Sequence, residues 1–357
     1  FLTPGIGNRF TGWRRILRYP PQHRIDPPFR RRVFSVGAVT LLSTPFQWFE
    51  DLRLARKMRS TALHPAPVFI IGHWRSGTTF LHNLLSHDPQ FACVTTAQSI
   101  FPHSFATNPL FPWLTEVLMP PTRPMDDMRL YMQSPQEEEM ALVNYGPSSF
   151  YHAWHFPRAM RFFYRRTVKF EGVSDREWAE AYLRLLCKTT LLSGYRRLLL
   201  KNPANTGRLR TLLKLFPKAK FVFIYRDPLE VYASTQKLYR NVLPIFQLQT
   251  YDFENIKRDI IWIYKDLMTT YLRQRSLIPE GQLYEVAHRS LSKMPMEKME
   301  ELYEELQLGN FPEVAPHMEA YLAQRRIKNF RKSTYDIPAS EIETLEEEWA
   351  FAFENWK

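Results

Sequence analysis

The stretch Val68-Phe69-Ile70-Ile71-Gly72-His73-Trp74-Arg75-Ser76-Gly77-Thr78-Thr79-Phe80-Leu81 decides the fold of this chain. Four consecutive apolar residues, 68–71, are the mark of a strand buried on both faces, as strands of parallel sheets are. Glycines follow at 72 and 77, and Phe80, Leu81, Leu84 and Leu85 then recur at helical spacing. Strand, glycine-bearing loop and helix form the layout of a phosphate cradle. Glycine lets backbone amides turn toward an anion, and the helix N-terminus adds a favourable dipole. Gly72 and Gly77 stand at P-loop spacing, and Thr79 falls where that motif carries Ser or Thr. The lysine position holds Thr78 instead, which argues against an ATPase, and the cation has moved to Arg75 inside the loop.

The pattern repeats further along the chain. Leu198, Leu199 and Leu200 read as a second buried strand ending in Lys201-Asn202-Pro203, and a helix is expected from Thr206 to Leu215. Phe221 to Tyr225 reads as a third strand delivering Arg226-Asp227-Pro228, with Ser234 on the helix that follows. Between the first and second strands, Ser174 and Glu177 have capping-box spacing ahead of a helix whose Trp178, Tyr182, Leu185, Leu186 and Thr189 share one face. Gly194 is its expected stop. Near the end, Ser340 and Glu343 are expected to cap a last helix carrying Leu345, Trp349 and Phe353. Strands that each end in a cation and each lead into a helix predict an α/β fold. The expected architecture is a P-loop-like, mostly parallel sheet with helices on both faces and ligand at the strands' C-terminal ends. The division expected is a main domain over 66–357 preceded by a helical N-terminal extension over 1–65.

Within that extension Arg30, Arg31 and Arg32 precede an uncharged run from Val33 to Phe49. Its residues Ser35, Gly37, Thr40, Ser43, Thr44, Pro45 and Gln47 are too polar for a convincing membrane span. Two other readings stand: a helix packed on the main domain, and an interfacial helix with Phe46, Trp48, Phe49 and the arginines at lipid headgroups. Phe10, Trp13, Arg14, Arg15, Leu17 and Arg18 share the basic-aromatic character of the second reading.

The formal net charge of +12 over 357 residues calls for an anionic partner: nucleic acid, a membrane surface or a phosphorylated small molecule. No zinc-finger, RNP or basic-zipper pattern accompanies it, so no nucleic acid is expected. Only Cys93 and Cys187 are present, which excludes a disulfide framework and fits two free thiols in a reducing, cytoplasmic setting, with membrane association left open. No metal-ligand cluster is legible, and no metal is expected.

On the loop at 72–79 together with Arg226 and Ser234 eight residues later, the chain resembles the sulfotransferases that use 3′-phosphoadenylyl sulfate (PAPS). The likeness covers about residue 66 to the end and is clearest at 68–85 and 198–236. It is closest to the broad, mainly bacterial branch with Arg in the first loop. The resemblance implies that Arg75, Ser76, Gly77, Thr78 and Thr79 bind the 5′-phosphosulfate, and that Arg226 and Ser234 bind the 3′-phosphate. A guanidinium fork and a hydroxyl suit a phosphate. Arg226 has a second reading as an ion-pair partner of Asp227 or Glu230. Arg75 and Lys201 are the expected stabilisers of the leaving group, by fixed charge rather than by giving up a proton, since Arg does not readily release one. The basic run Arg325 to Lys332 looks like the late loop that closes over the 3′-phosphate in relatives, which brings in Lys328, Arg331 and Lys332. It reads equally as a surface charge run.

The base departs from the family's patterns. Lys201 is followed by Asn202, Pro203 and Ala204, without the histidine of cytosolic relatives. Val94 to Gln98 lacks the glutamate of the tyrosylprotein branch. The remaining acidic patch, Gln136-Glu137-Glu138-Glu139, supplies Glu137 and then Glu138 as candidate base or acceptor-orienting residues, against a plain acidic helix start. His103, His152 and His155, in aromatic surroundings, are the alternatives. The expected reaction is sulfuryl transfer from PAPS to a hydroxyl of a small, apolar or lipid-like acceptor. Two rivals stand beside it: a P-loop kinase, and a non-catalytic, membrane-associated nucleotide-binding protein.

Overall fold

The four residues of β1, Val68–Ile71, are all fully buried, and they lie at the middle of a five-stranded sheet. The computed structural model describes residues 5–18, 24–108, 113, 131–327 and 337–356. The strands are β1, β2 (Phe91–Ala92), β3 (Arg197–Lys201), β4 (Lys220–Tyr225) and β5 (Leu283–Ala287). Their order across the sheet is β2-β3-β1-β4-β5, and every pairing is parallel. The register sets Ile70 opposite Lys201 on one side and opposite Val222 on the other. With all strands running the same way, Gly72, Lys201, Arg226 and His288 leave the sheet from one end. β1 lies between β3 and β4, so the strand order reverses across it, and in open α/β sheets that reversal is where ligands bind.

Alternation along the strands divides two apolar layers. Val68, Ile70, Leu199, Val222 and Ile224 pack with Leu81, Leu84 and Leu85 of the helix Thr78–Leu85 and with Leu302 and Leu306 of the helix Pro295–Leu306. On the other face Phe69 stacks on Phe221, and Phe223 lies on Tyr271 with ring centroids 3.7 Å apart and planes 8° from parallel. Full burial of side chains of this size is worth about 1.5–3 kcal/mol apiece.

The chain divides into two compact units. One comprises Phe1–Leu63, Val94–Tyr195 and Lys237–Asp259, and the other His64–Cys93, Arg196–Gln236 and Ile260–Lys357. The second unit holds the whole sheet. The first is helical, and the N-terminal segment belongs to it. Its longest helix, Arg30–Ser60, buries Val36, Thr40, Ser43, Gln47, Glu50 and Leu54. Glu50 is fully buried. It accepts from the amides of Ala106 (2.8 Å) and Thr107 (2.7 Å) and pairs with the ammonium of buried Lys188. Among the described residues no helix is long and apolar enough to cross a membrane, which removes the spanning reading of 33–49. Cys93 and Cys187 are free thiols.

Several local expectations are corrected. The helix expected from Ser174 is Arg176–Leu192, and its N-cap position is Asp175 with no side-chain cap. Ser174 accepts from the Arg176 amide instead, and Glu177 is drawn off by Arg15 at 2.6 Å, so the box does not close. The buried face of this helix and the left-handed Gly194 after it are as the sequence predicts. The helix expected from Thr206 to Leu215 is instead the end of a 3-10 turn, Pro203–Gly207, followed by a shorter helix, Leu209–Leu215. The last helix begins one residue before Ser340, behind Pro338. It ends at Glu348, and Phe353 falls in a separate helix, Ala350–Trp356.

Candidate active site

The loop after β1 is held from beneath. Gly72 N–H donates to Thr206 Oγ1 at 2.8 Å, and the same hydroxyl donates back to Gly72 O at 2.9 Å. Gly72 itself has φ 141°, and a Cβ there would lie 2.3 Å from the Ile224 carbonyl oxygen, so only glycine fits. Gly77 has φ 98°, and its missing Cβ makes room for His288, the residue after β5. Between them Arg75 adopts φ 72°, a left-handed conformation uncommon for a residue with a side chain. That strain costs on the order of 1–3 kcal/mol and aims the guanidinium along the sheet end.

Five predicted residues meet there. Arg75 Nε donates to Ser234 Oγ at 2.9 Å, and Arg226 Nη1 donates to Arg75 O at 3.4 Å. Arg226 also forms the ion pair with Glu230 at 2.5 Å that its second reading anticipates. Lys201, buried at the end of β3, donates to Thr79 Oγ1 at 3.4 Å. Ser76 and Thr78 are buried, while Arg75, Gly77 and Thr79 are half-buried. The helix Thr78–Leu85 starts with no side-chain cap, leaving that end to an anion. Asp227 is occupied in capping the next helix, accepting from the amides of Leu229 (2.9 Å) and Glu230 (3.2 Å). A loop with an uncapped helix start, ringed by Arg75, Lys201 and Arg226 and by the hydroxyls of Thr79 and Ser234, fits a phosphate-bearing nucleotide. Lys328, Arg331 and Lys332 lie outside the described residues.

The base candidates belong to the first unit. Glu137, half-buried at the N-cap of the helix Glu138–Leu142, accepts a hydrogen bond from the Tyr151 hydroxyl. Tyr151 stacks on Trp154 at 4.0 Å and Trp154 on Phe246 at 5.6 Å, a ladder of nearly parallel rings. Glu138 is fully buried and accepts from Tyr182 at 3.2 Å. Glu139 is fully buried too, tied to Ser149 and the Phe150 amide. His103 Nε2 meets the Asn144 carbonyl at 3.0 Å, and His152 Nε2 meets that of Gly146 at 2.6 Å. Burial holds His103 well below the ordinary imidazole range and takes His152 down to about 4. Neither is a ready proton acceptor near neutral pH. His155 is buried against Trp13, ring centroids 5.8 Å apart. A cavity of about 370 Å³ in the same unit, lined by Pro147, Arg166, Phe170, Trp178 and Glu180, contains none of the predicted site residues.

His73, in the loop itself, is buried, and burial takes it down to about 4 as well. The unfolded chain protonates both His73 and His152 near 6.5, the folded chain only near 4, so the unfolded state binds more protons between those values. Stability is therefore complete above about 6.5 and expected to fall as pH drops toward 4, by roughly 3 kcal/mol for each of the two. Urea midpoints measured from pH 7 to pH 4 check this, and a flat profile would contradict it. Thr206 and His288 are parts of the loop's setting that the sequence did not single out. A lone threonine after a proline and a histidine at the end of a half-exposed strand carry no local signal.

The parallel sheet, with a glycine-bearing loop and cations at its strand ends, defines an α/β protein whose site suits an anionic ligand. Residues 67–313 match the sulfotransferase family, and the chain belongs to it; it is a sulfotransferase. It is 30% identical over 349 residues to the omega-hydroxy-beta-dihydromenaquinone-9 sulfotransferases Stf3 of Mycobacterium bovis and Mycobacterium tuberculosis, a match covering 96% of this chain and 88% of theirs. The fold is that of the sulfotransferase STF1 of Mycobacterium tuberculosis, with a TM-score of 0.71 at 19% identity, covering 97% of this chain and 94% of that one. Sulfotransferase STF9 of Mycobacterium avium superposes with a TM-score of 0.74 at 19% identity, covering 97% and 91%.

Proposed function

We propose that this sulfotransferase takes its sulfuryl group from PAPS and delivers it to a hydroxyl of a small, lipid-like acceptor. The observation that carries the donor assignment is the convergence of Arg75, Ser234 and Arg226 beside the uncapped loop helix. When bound, PAPS supplies a sulfuryl group already attached to a good leaving phosphate. In this reading the loop amides and the Ser76, Thr78 and Thr79 hydroxyls hold the 5′ end, and Arg226 with Ser234 holds the 3′-phosphate. Lys328, Arg331 and Lys332 add positive charge for the same phosphate. Arg75 and Lys201 present fixed positive charge where negative charge grows, and fixed charge is effective because it needs no reorganisation during the reaction. Arg75 keeps its proton throughout.

Glu137 is the base in this reading. Unlike Glu138 and Glu139 it is only half-buried, and its bond from Tyr151 orients the carboxylate. Glu137→Gln is expected to lower kcat by about 10²–10⁴-fold with bisphosphate affinity unchanged, whereas Glu138→Gln acts on stability. Steady-state rates beside bisphosphate titrations separate these outcomes, and full activity in Glu137→Gln would move the base elsewhere. For the acceptor, the relatives at 30% identity are named for a hydroxylated dihydromenaquinone, and the ring ladder beside Glu137 is an apolar setting. Peripheral contact with the membrane that dissolves such an alcohol belongs to the same reading. Equal rates on a polar sugar and on hydrophobic alcohols would count against it.

Calorimetric titration tests the donor. Tight, metal-independent binding of adenosine 3′,5′-bisphosphate with weak binding of ATP and magnesium is the expected result. Preference for ATP with magnesium would overturn the assignment.

A further inference from the structure

The helix Arg30–Ser60 carries its polarity inside out. Four of its six buried residues, Thr40, Ser43, Gln47 and Glu50, are polar. They are tied down from that side: Gln47 donates to the Asn8 carbonyl at 3.1 Å and to Ser43 Oγ at 3.0 Å, and Glu50 pairs with Lys188. Phe34, Leu41, Leu42, Trp48, Phe49 and Leu52 point outward, with Phe34 78% and Leu52 81% exposed. At about 3.6 residues per turn these six fall within an arc of roughly 120°, a stripe about 27 Å long. Apolar patches of that extent on a soluble surface mark a docking face.

The charges choose the occupant. Exposed Arg30 and Arg31 stand at one end of the stripe, and exposed Arg53, Arg56, Lys57 and Arg59 at the other. The helix's two acids are withdrawn, Glu50 into the core and Asp51 into pairs with Arg9 and Arg184. A second copy docked antiparallel through this face would set cations against cations. A surface of anionic headgroups over acyl chains complements both the ends and the middle. Trp48 and Phe49 are of the residue type that settles at that depth.

We propose that the outward face of the helix Arg30–Ser60 docks on an anionic lipid bilayer and lies in its plane. The inference gives the membrane part of the functional reading its surface, but it rests on this helix alone, so vesicle binding and bisphosphate binding fail separately.

The test is co-sedimentation of the full chain with vesicles of phosphatidylcholine alone and of phosphatidylcholine with phosphatidylglycerol. Binding to the anionic vesicles that weakens with added salt is expected. The triple substitution Phe34→Ser, Trp48→Ser, Leu52→Ser should lower partitioning by about a hundredfold while bisphosphate titration stays at the parent value. Replacing Arg30, Arg31, Arg53 and Arg56 by Gln should abolish the preference for anionic vesicles. The proposal is overturned if the parent chain stays in the supernatant with both vesicles, or if the triple variant sediments like the parent. It is also overturned if light scattering shows that variant turning a dimer into a monomer without a change in vesicle binding, which assigns the face to a second copy.

Discussion

Arg75→Ala is expected to lower kcat by about three orders of magnitude while weakening adenosine 3′,5′-bisphosphate by less than about tenfold, the pattern of a group that acts mainly in the transition state. Arg226→Ala is expected to do the reverse, raising the bisphosphate Kd by about 10–100-fold with a smaller effect on kcat at saturation. The difference follows from where the two guanidinium groups belong. Arg75 is held inside the loop in a left-handed backbone conformation, with its Nε on Ser234. It is thereby placed before any ligand arrives, and such fixed charge contributes most as charge develops. Arg226 leaves the end of β4 already paired with Glu230, so a bound phosphate exchanges one anionic partner for another, a ground-state event. Glu230→Gln should then tighten the bisphosphate modestly, because its competitor is removed. Single-turnover rates beside calorimetric Kd values read both effects. If Arg75→Ala chiefly weakened binding and Arg226→Ala chiefly slowed turnover, the two roles would have to be exchanged.

The second large effect lies in the helical unit. Glu50→Ala should destabilise it by about 3–5 kcal/mol, since removing one partner leaves the other a buried, uncompensated charge. Lys188 is 4% exposed and donates also to the Pro102 carbonyl at 2.8 Å, with its ammonium 4.5 Å from the centre of the Phe105 ring. Burial lowers its pKa against the opposing pull of Glu50, so without Glu50 the charge would be left with a carbonyl, a ring and the weaker field of Asp51. Glu50 additionally accepts from two backbone amides and the Thr107 hydroxyl, and the alanine leaves those donors orphaned too. Lys188→Met should therefore cost less than Glu50→Ala. The double variant should cost less than the sum of the two, because it removes the stranded ammonium but not the stranded amides. Urea midpoints of the three variants measure the coupling, and strict additivity would show that the pair does not interact.

Much of the sheet was legible because a parallel strand buried on both faces writes itself as an unbroken apolar run. Val68–Ile71, Leu198 to Leu200 and Phe221 to Tyr225 are such runs, and the structure places β1, β3 and β4 on them. Glycine spacing and strand-end cations are equally local signals, and Arg75, Lys201, Arg226 and Ser234 do come together at the sheet's C-terminal end. β5 escaped notice because at the sheet's edge Leu283–Ala287 is mostly half-exposed, and its Leu-Tyr-Glu-Val-Ala sequence has no continuous run. β2 is two residues long, below any period.

The residues themselves thus determined the class of sheet and the loop, since these rest on short-range hydrophobic pattern and on backbone conformations that only certain residues adopt. Tertiary contact alone decided the rest. Thr206 clamps Gly72 across 134 positions of sequence, and Glu50 meets Lys188 across 138. Contact with partners far along the chain buries Glu138 against Tyr182 and leaves its neighbour Glu137 half-buried. The helix Arg30–Ser60 is the clearest case: its composition holds one polar and one apolar face, and only the partners waiting for Gln47 and Glu50 determine which of them turns inward. A local pattern records what a segment can bury, whereas the free energy of the whole chain selects what it does bury.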